Sequence, residues 1–160
     1  MPIKHTDKGW FWGSKGPFPT KAKALAVGRA AYAHGYKESI MDNAACAKLI
    51  QCLFHSSTNT HILHLQTRSY AEHVALGEYY DEIIDIADSI AEAYQGRYGI
   101  IEGYTAEYAL PTTPIETLIA VSESIVTYRA QLPQDTEIQN LIDEAAALVD
   151  ATLYKLRFLG

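Results

Sequence analysis

From Ser39 onward the sequence is a run of helix-period segments separated by explicit start and stop signals, and this punctuation limits the fold more than any other feature. Between residue 71 and about Gly96, Leu76, Tyr80, Ile83, Ala87, Ile90 and Tyr94 recur at steps of three and four, which lays an apolar stripe along one side of a helix. Ser69 with Glu72 spells a capping box at its start, and Gly96 lies near its expected end. Thr113, Pro114 and Glu116 supply an N-cap, a proline at the first helical position and a box acid for the next helix. Pro133 closes that helix and Asp135 opens the last one, while Ser39 with Asp42 marks the start of a helix predicted to reach about Gln66.

Link lengths order these four helices. The first and second are joined by about three residues, so they are antiparallel neighbours, and the third and fourth are joined as tightly. The stretch from Arg97 to Thr112 is long enough to cross from one end of the assembly to the other. Two antiparallel hairpins with one long crossover make the predicted fold all-α, a ferritin-like four-helix bundle over residues 39–160. Hydrophobic residues at 48% and charged residues at 20% suit such a single-core chain. No window approaches the run of about 20 apolar residues that a membrane span needs, and the first residues carry no apolar leader. Cys46 and Cys52, six apart, read as reduced packing residues. The expected setting is the cytoplasm, or a virion if the second function reading below holds.

Residues 1–38 differ in character. GWFWGSKGPFPT packs glycines, prolines and four aromatics into a short stretch, as turns and a small strand or hairpin require. Thr20 then precedes a short helix over about residues 21–34, with Leu25, Gly28, Ala31 and Tyr32 on one face, ended at HGYKES by Gly35. This arm holds seven Lys and Arg against Asp7 and Glu38, a net of +5; the other six basic and 17 acidic residues give the rest a net of −11. A basic arm on an acidic body predicts different partners for the two parts, with Lys4, Lys8, Lys15, Lys21 and Lys23 as the contacts to DNA or to an acidic protein surface. Trp10, Phe11 and Trp12 beside these lysines offer base stacking, although the commoner fate of such a cluster is the miniature core of a hairpin.

The second helix raises a question about its acidic residues. At 100° per residue, His73, Asp88 and Glu92 share a face away from the apolar stripe, yet His73 lies about 22 Å along the axis from Asp88. One chain therefore cannot close them on one ion. An antiparallel copy of the helix, related by a two-fold axis near Asp81, sets His73 of one copy beside Asp88 and Glu92 of the other, twice over. Gly77 on the same face leaves room for the approach. The ordinary alternative is that Asp81, Glu82, Asp85, Asp88 and Glu92 form a solvated face, with His61 and His64 favoured by the C-terminal dipole of their helix.

HLQTRSYAEH, followed by DSIAE, resembles the Dps branch of the ferritin-like proteins over roughly residues 45–95. The resemblance implies a homo-oligomer through the second helix, iron as the bound metal, ferroxidase chemistry, and His64, His73, Asp88 and Glu92 as ligands between two-fold-related subunits. The spacing of His73, Asp88 and Glu92 follows the family, whereas the gap between His64 and His73 is shorter than is usual there. A di-iron centre inside one bundle is excluded, because the first helix has no Glu and the third and fourth have no His. DKGWFWGSKGPFPTKAKAL is similar to short N-terminal segments of tailed-bacteriophage proteins, which implies the second function reading: a virion structural or assembly protein without iron chemistry. Nucleotide loops and nucleophile elbows are absent from the sequence.

Overall fold

The computed structural model describes residues 3–12 and 15–159. Three short strands, β1 (Ile3–Thr6), β2 (Gly9–Trp12) and β3 (Lys15–Phe18), precede four helices, α1 (Lys21–Gln66), α2 (Tyr70–Tyr98), α3 (Pro114–Arg129) and α4 (Thr136–Phe158). The molecule is mainly helical, and the three-stranded antiparallel sheet, ordered β1-β2-β3, corrects the all-α expectation. The chain divides into two compact units, residues 1–41 and 42–160. Among the described residues no helix is long and apolar enough to cross a membrane.

In the first unit the glycines that marked turns make the sheet possible. Gly9 and Gly16 sit at φ +125° and +141°, and a Cβ on Gly16 would meet the Phe11 ring at 2.7 Å and the Trp10 carbonyl at 2.8 Å. β1 pairs with β2 so that His5 lies opposite Trp10 and Lys4 opposite Phe11. Thr20 caps α1 by accepting a hydrogen bond from the Lys23 amide at 3.2 Å. Ala24 is buried and Leu25 is 40% exposed; of the face on which Leu25 was expected, the side chains at Gly28, Ala31 and Tyr32 lie outside the described residues.

The expected break at Gly35 does not occur, since α1 is one helix of 46 residues. No proline falls between Lys21 and Gln66, and one helical glycine costs only about 1 kcal/mol relative to alanine. The capping role expected of Ser39 and Asp42 lies outside the described side chains. The other boundaries follow their caps. Ser69 Oγ accepts from the Glu72 amide at 3.3 Å, and Thr67 closes the box by donating to the Glu72 carboxylate at 2.5 Å. Thr113 Oγ1 accepts from the Glu116 amide at 3.3 Å and donates to the Glu116 carboxylate at 2.9 Å. At α4, Asp135 makes no side-chain cap; its carboxylate instead takes Tyr98 OH and the Arg97 guanidinium, the latter at 2.6 Å. α2 runs two residues past Gly96 and ends at Gly99, whose φ of +99° a side chain would oppose.

One apolar core serves the second unit. Leu49, Ile50 and Leu53 of α1, Leu76, Ile83 and Ile90 of α2, Leu118 and Ile125 of α3, and Ile138 and Ile142 of α4 are all fully or almost fully buried in it. Tyr79 is fully buried and Tyr80, expected on the stripe, only half-buried. The two flank the stripe symmetrically in angle, and Tyr79 is drawn inward because its hydroxyl meets Ser56 Oγ at 2.8 Å. α2 packs on α4 and α4 on α3. Glu78 pairs with Lys155 and Arg97 with Asp135, so α2 and α4 run antiparallel.

The α2–α3 connection is held by side-chain amides of α1. Asn43 accepts from the Glu102 amide at 3.1 Å and donates to the Ile100 carbonyl at 3.1 Å. Gln51 accepts from the Thr105 amide at 3.0 Å and donates to the Thr105 carbonyl at 2.6 Å. Asn59 donates to the Ala109 carbonyl at 3.2 Å and accepts from Tyr108 OH at 2.6 Å. Eight residues of helix rise about 12 Å, and four residues of extended chain cover about 13 Å. Amides eight apart therefore match backbone groups about four apart. The crossover runs parallel to α1 and delivers α3 to the C-terminal end of α1.

Candidate functional site

The turn between α1 and α2 brings His64 and His73 together. Their rings stack with centroids 3.7 Å apart and planes 22° from parallel. His64 Nδ1–H donates to the His73 carbonyl at 2.8 Å, and His73 Nδ1–H donates to the His64 carbonyl at 3.2 Å. A carbonyl can only accept, so Nδ1 carries a proton in each ring, and the nitrogen left to act as a ligand is Nε2. This backbone support is how metal-binding imidazoles are commonly oriented.

Two further side chains belong to the cluster. His61 stacks on Tyr80 at 4.2 Å and 13°, and Tyr80 meets His64 edge-on at 5.3 Å. The signal for His61 is its three-residue spacing from His64 on one helix face, which the helix-dipole expectation passes over. A Cβ on Gly77 would lie 3.4 Å from His64 Cε1. The Cβ position at Gly77 thus faces the His64 ring of the same chain.

Asp88 and Glu92 are exposed on α2, four and five turns beyond His73. They do not join the histidines within one chain, and among the described residues no three His, Cys, Asp or Glu side chains are grouped to hold a metal ion. Asp81, Glu82 and Asp85 share that exposed stretch. Cys46 and Cys52 are free thiols; burial pushes Cys46 up to about 12 and also raises Cys52.

In the first unit Lys4, Lys8, Lys21 and Lys23 are exposed, and Lys15 opens β3, its side chain lying outside the described residues. The His5 ring lies 4.4 Å from that of Trp10, and Lys21 Nζ stands 5.6 Å from the Trp10 centroid. The Phe11 ring lies against Gly16, and the Trp12 side chain lies outside the described residues.

No curated protein and no solved structure matches the chain. A family model described as a family of unknown function (DUF5856) matches residues 64–156, from His64 to Leu156, and so takes in all four predicted metal ligands and none of the basic arm. That match covers more than half of the 160 residues, and the chain belongs to this family of unknown function.

Proposed function

We propose that residues 42–160 form a ferritin-like four-helix bundle which, paired with a second copy across α2, binds iron between the subunits. In this reading His64 and His73 of one copy act with Asp88 and Glu92 of the other, and the iron is substrate to be oxidised and stored. The carrying observation is the reciprocal bonding of His64 and His73 to each other's backbone, which leaves both Nε2 atoms as ligand positions. Imidazole with carboxylate suits iron, and a site with few protein ligands leaves coordination positions for an oxidant. The up-down-down-up order of α1, α2, α3 and α4, with one tethered crossover, supports the bundle.

His73→Ala and Glu92→Ala should each lower iron bound per dimer while leaving the helical circular dichroism intact. Mixing the two variants should restore one site in each heterodimer, because one end of the interface then keeps both ligand sets and the other loses both. Ligands drawn from a single chain would leave the mixture as empty as its parents, and iron-free wild type would end the proposal.

A second reading is favoured by the charge division: the same bundle serves as an assembly component of a virion, its basic sheet against DNA or an acidic protein surface. Metal content of the purified protein separates the two.

A further inference from the structure

We propose that the cleft between α1 and α3 is a binding site for an elongated organic monoanion with an apolar body and a neutral polar group at its far end. The cleft encloses about 710 Å³ and is walled on its third side by the crossover. That volume falls within the range of roughly 300–1,000 Å³ common to small-molecule sites. Its α1 wall extends from Lys48 to Asn59, a rise of about 16 Å, so the space is long rather than round.

The polar groups along it are mostly occupied. The Gln51 and Asn59 amides hold the crossover backbone. Ser56 donates to the Leu53 carbonyl at 2.7 Å and meets Tyr79 OH at 2.8 Å, and Ser124 donates to the Ala120 carbonyl at 2.8 Å. His55 packs edge-on against the Tyr108 ring. Between these groups Ala120 and Val121 give the α3 wall an apolar stretch, and Leu110 and Pro111 continue it toward the start of α3.

Lys48 and Thr117 lie toward opposite ends of the cleft. Lys48 is exposed at one end and enters no ion pair among the described residues. Thr117 lies near the other end, where α3 begins. It is 8% exposed, and its hydroxyl has no hydrogen-bond partner among the described residues. A buried hydroxyl without a partner is uncommon, and a ligand atom reaching it removes the penalty. Glu116, one residue before Thr117, lines the cleft where α3 begins, and its charge disfavours an anion beside Thr117 and directs the anionic group toward Lys48. Glu107 lies between the two ends, its carbonyl accepting from Gln51 at 3.4 Å.

The test is calorimetric titration of the full chain with decanoate, its terminally hydroxylated analogue, and decanol. The hydroxylated carboxylate should bind at one equivalent per chain, more tightly than decanoate, with decanol weakest. Lys48→Gln should weaken both carboxylates by tenfold or more and leave decanol unchanged. Thr117→Val keeps the shape of the side chain and removes the unpartnered hydroxyl, so it folds, and it should erase the preference for the hydroxylated probe. Ala120→Trp should fill the cleft and abolish binding of all three. Silent titrations of the wild type overturn the proposal, as does binding that survives Ala120→Trp in a protein of unchanged helicity or a carboxylate affinity indifferent to Lys48→Gln.

Discussion

Gly77 carries the His64 ring against its bare Cα, and a methyl there would stand at ordinary contact distance from a ring that can shift. Alanine also gains about 0.5–1 kcal/mol over glycine inside a helix. Gly77→Ala should therefore raise the melting temperature by about 2–4 °C and, where two copies approach closely across α2, weaken their association. Thermal melts with light scattering on the same samples check both halves; an unchanged association constant would remove Gly77 from the dimer contact. At this scale the sequence disclosed residue types and spacing but not partners. His64 and His73 were linked only through the family resemblance, and their mutual backbone bonds depend on a turn geometry that no periodicity encodes. Tyr79 and Tyr80 are equivalent in helical angle about the stripe, and the Ser56 hydroxyl decided between them from another helix.

Helix boundaries were legible where a side chain makes a local bond. Ser69 and Thr113 cap as expected, because the acceptor and the amide it serves lie within three residues. Gly35 misled because glycine weakens a helix without ending it, and nothing beyond it forces a turn. The crossover was readable as a long link, but its path was not. Asn43, Gln51 and Asn59 recur every eight residues on α1, and that spacing was the available signal for a tethered extended segment. Gln51→Leu removes both sides of the clamp on Thr105. It should cost about 1–2 kcal/mol in denaturant unfolding. It should also speed amide exchange at Thr105 by about tenfold or more, with helicity unchanged. Exchange at Thr105 as slow as in the wild type would mean that the crossover is held by something other than Gln51.

Across the whole molecule, two properties divide cleanly between the units. The second unit buries proton-bearing groups that titrate at high pH. Burial raises Cys46 to about 12, and Tyr79 is raised too. Both stay protonated in the fold and lose protons sooner when unfolded, so their contribution is intact below about pH 9 and declines as pH climbs toward the folded values. Thermal melts should fall steeply between about pH 9 and 11, and Cys46→Ala should flatten that fall while lowering the melt at neutral pH. The second property is charge. Residues 1–38 carry the +5 and residues 39–160 the −11, and among the described residues the core cluster of the helical unit runs from Cys46 to Leu156. A chain of residues 42–160 should therefore keep its helical melt while losing its affinity for polyanions. Full-length protein should bind duplex DNA or heparin with an affinity that drops steeply as salt rises, since each neutralised phosphate releases counterions. Sequence should matter little. Replacing Lys4, Lys8 and Lys23 by Gln should lower the salt slope in steps, one increment for each lysine–phosphate pair removed. Lys21 stands by the Trp10 ring, and its replacement should also loosen the sheet. A salt-independent interaction, or one retained by residues 42–160, would place the contact on the acidic unit and remove the basic sheet from partner binding.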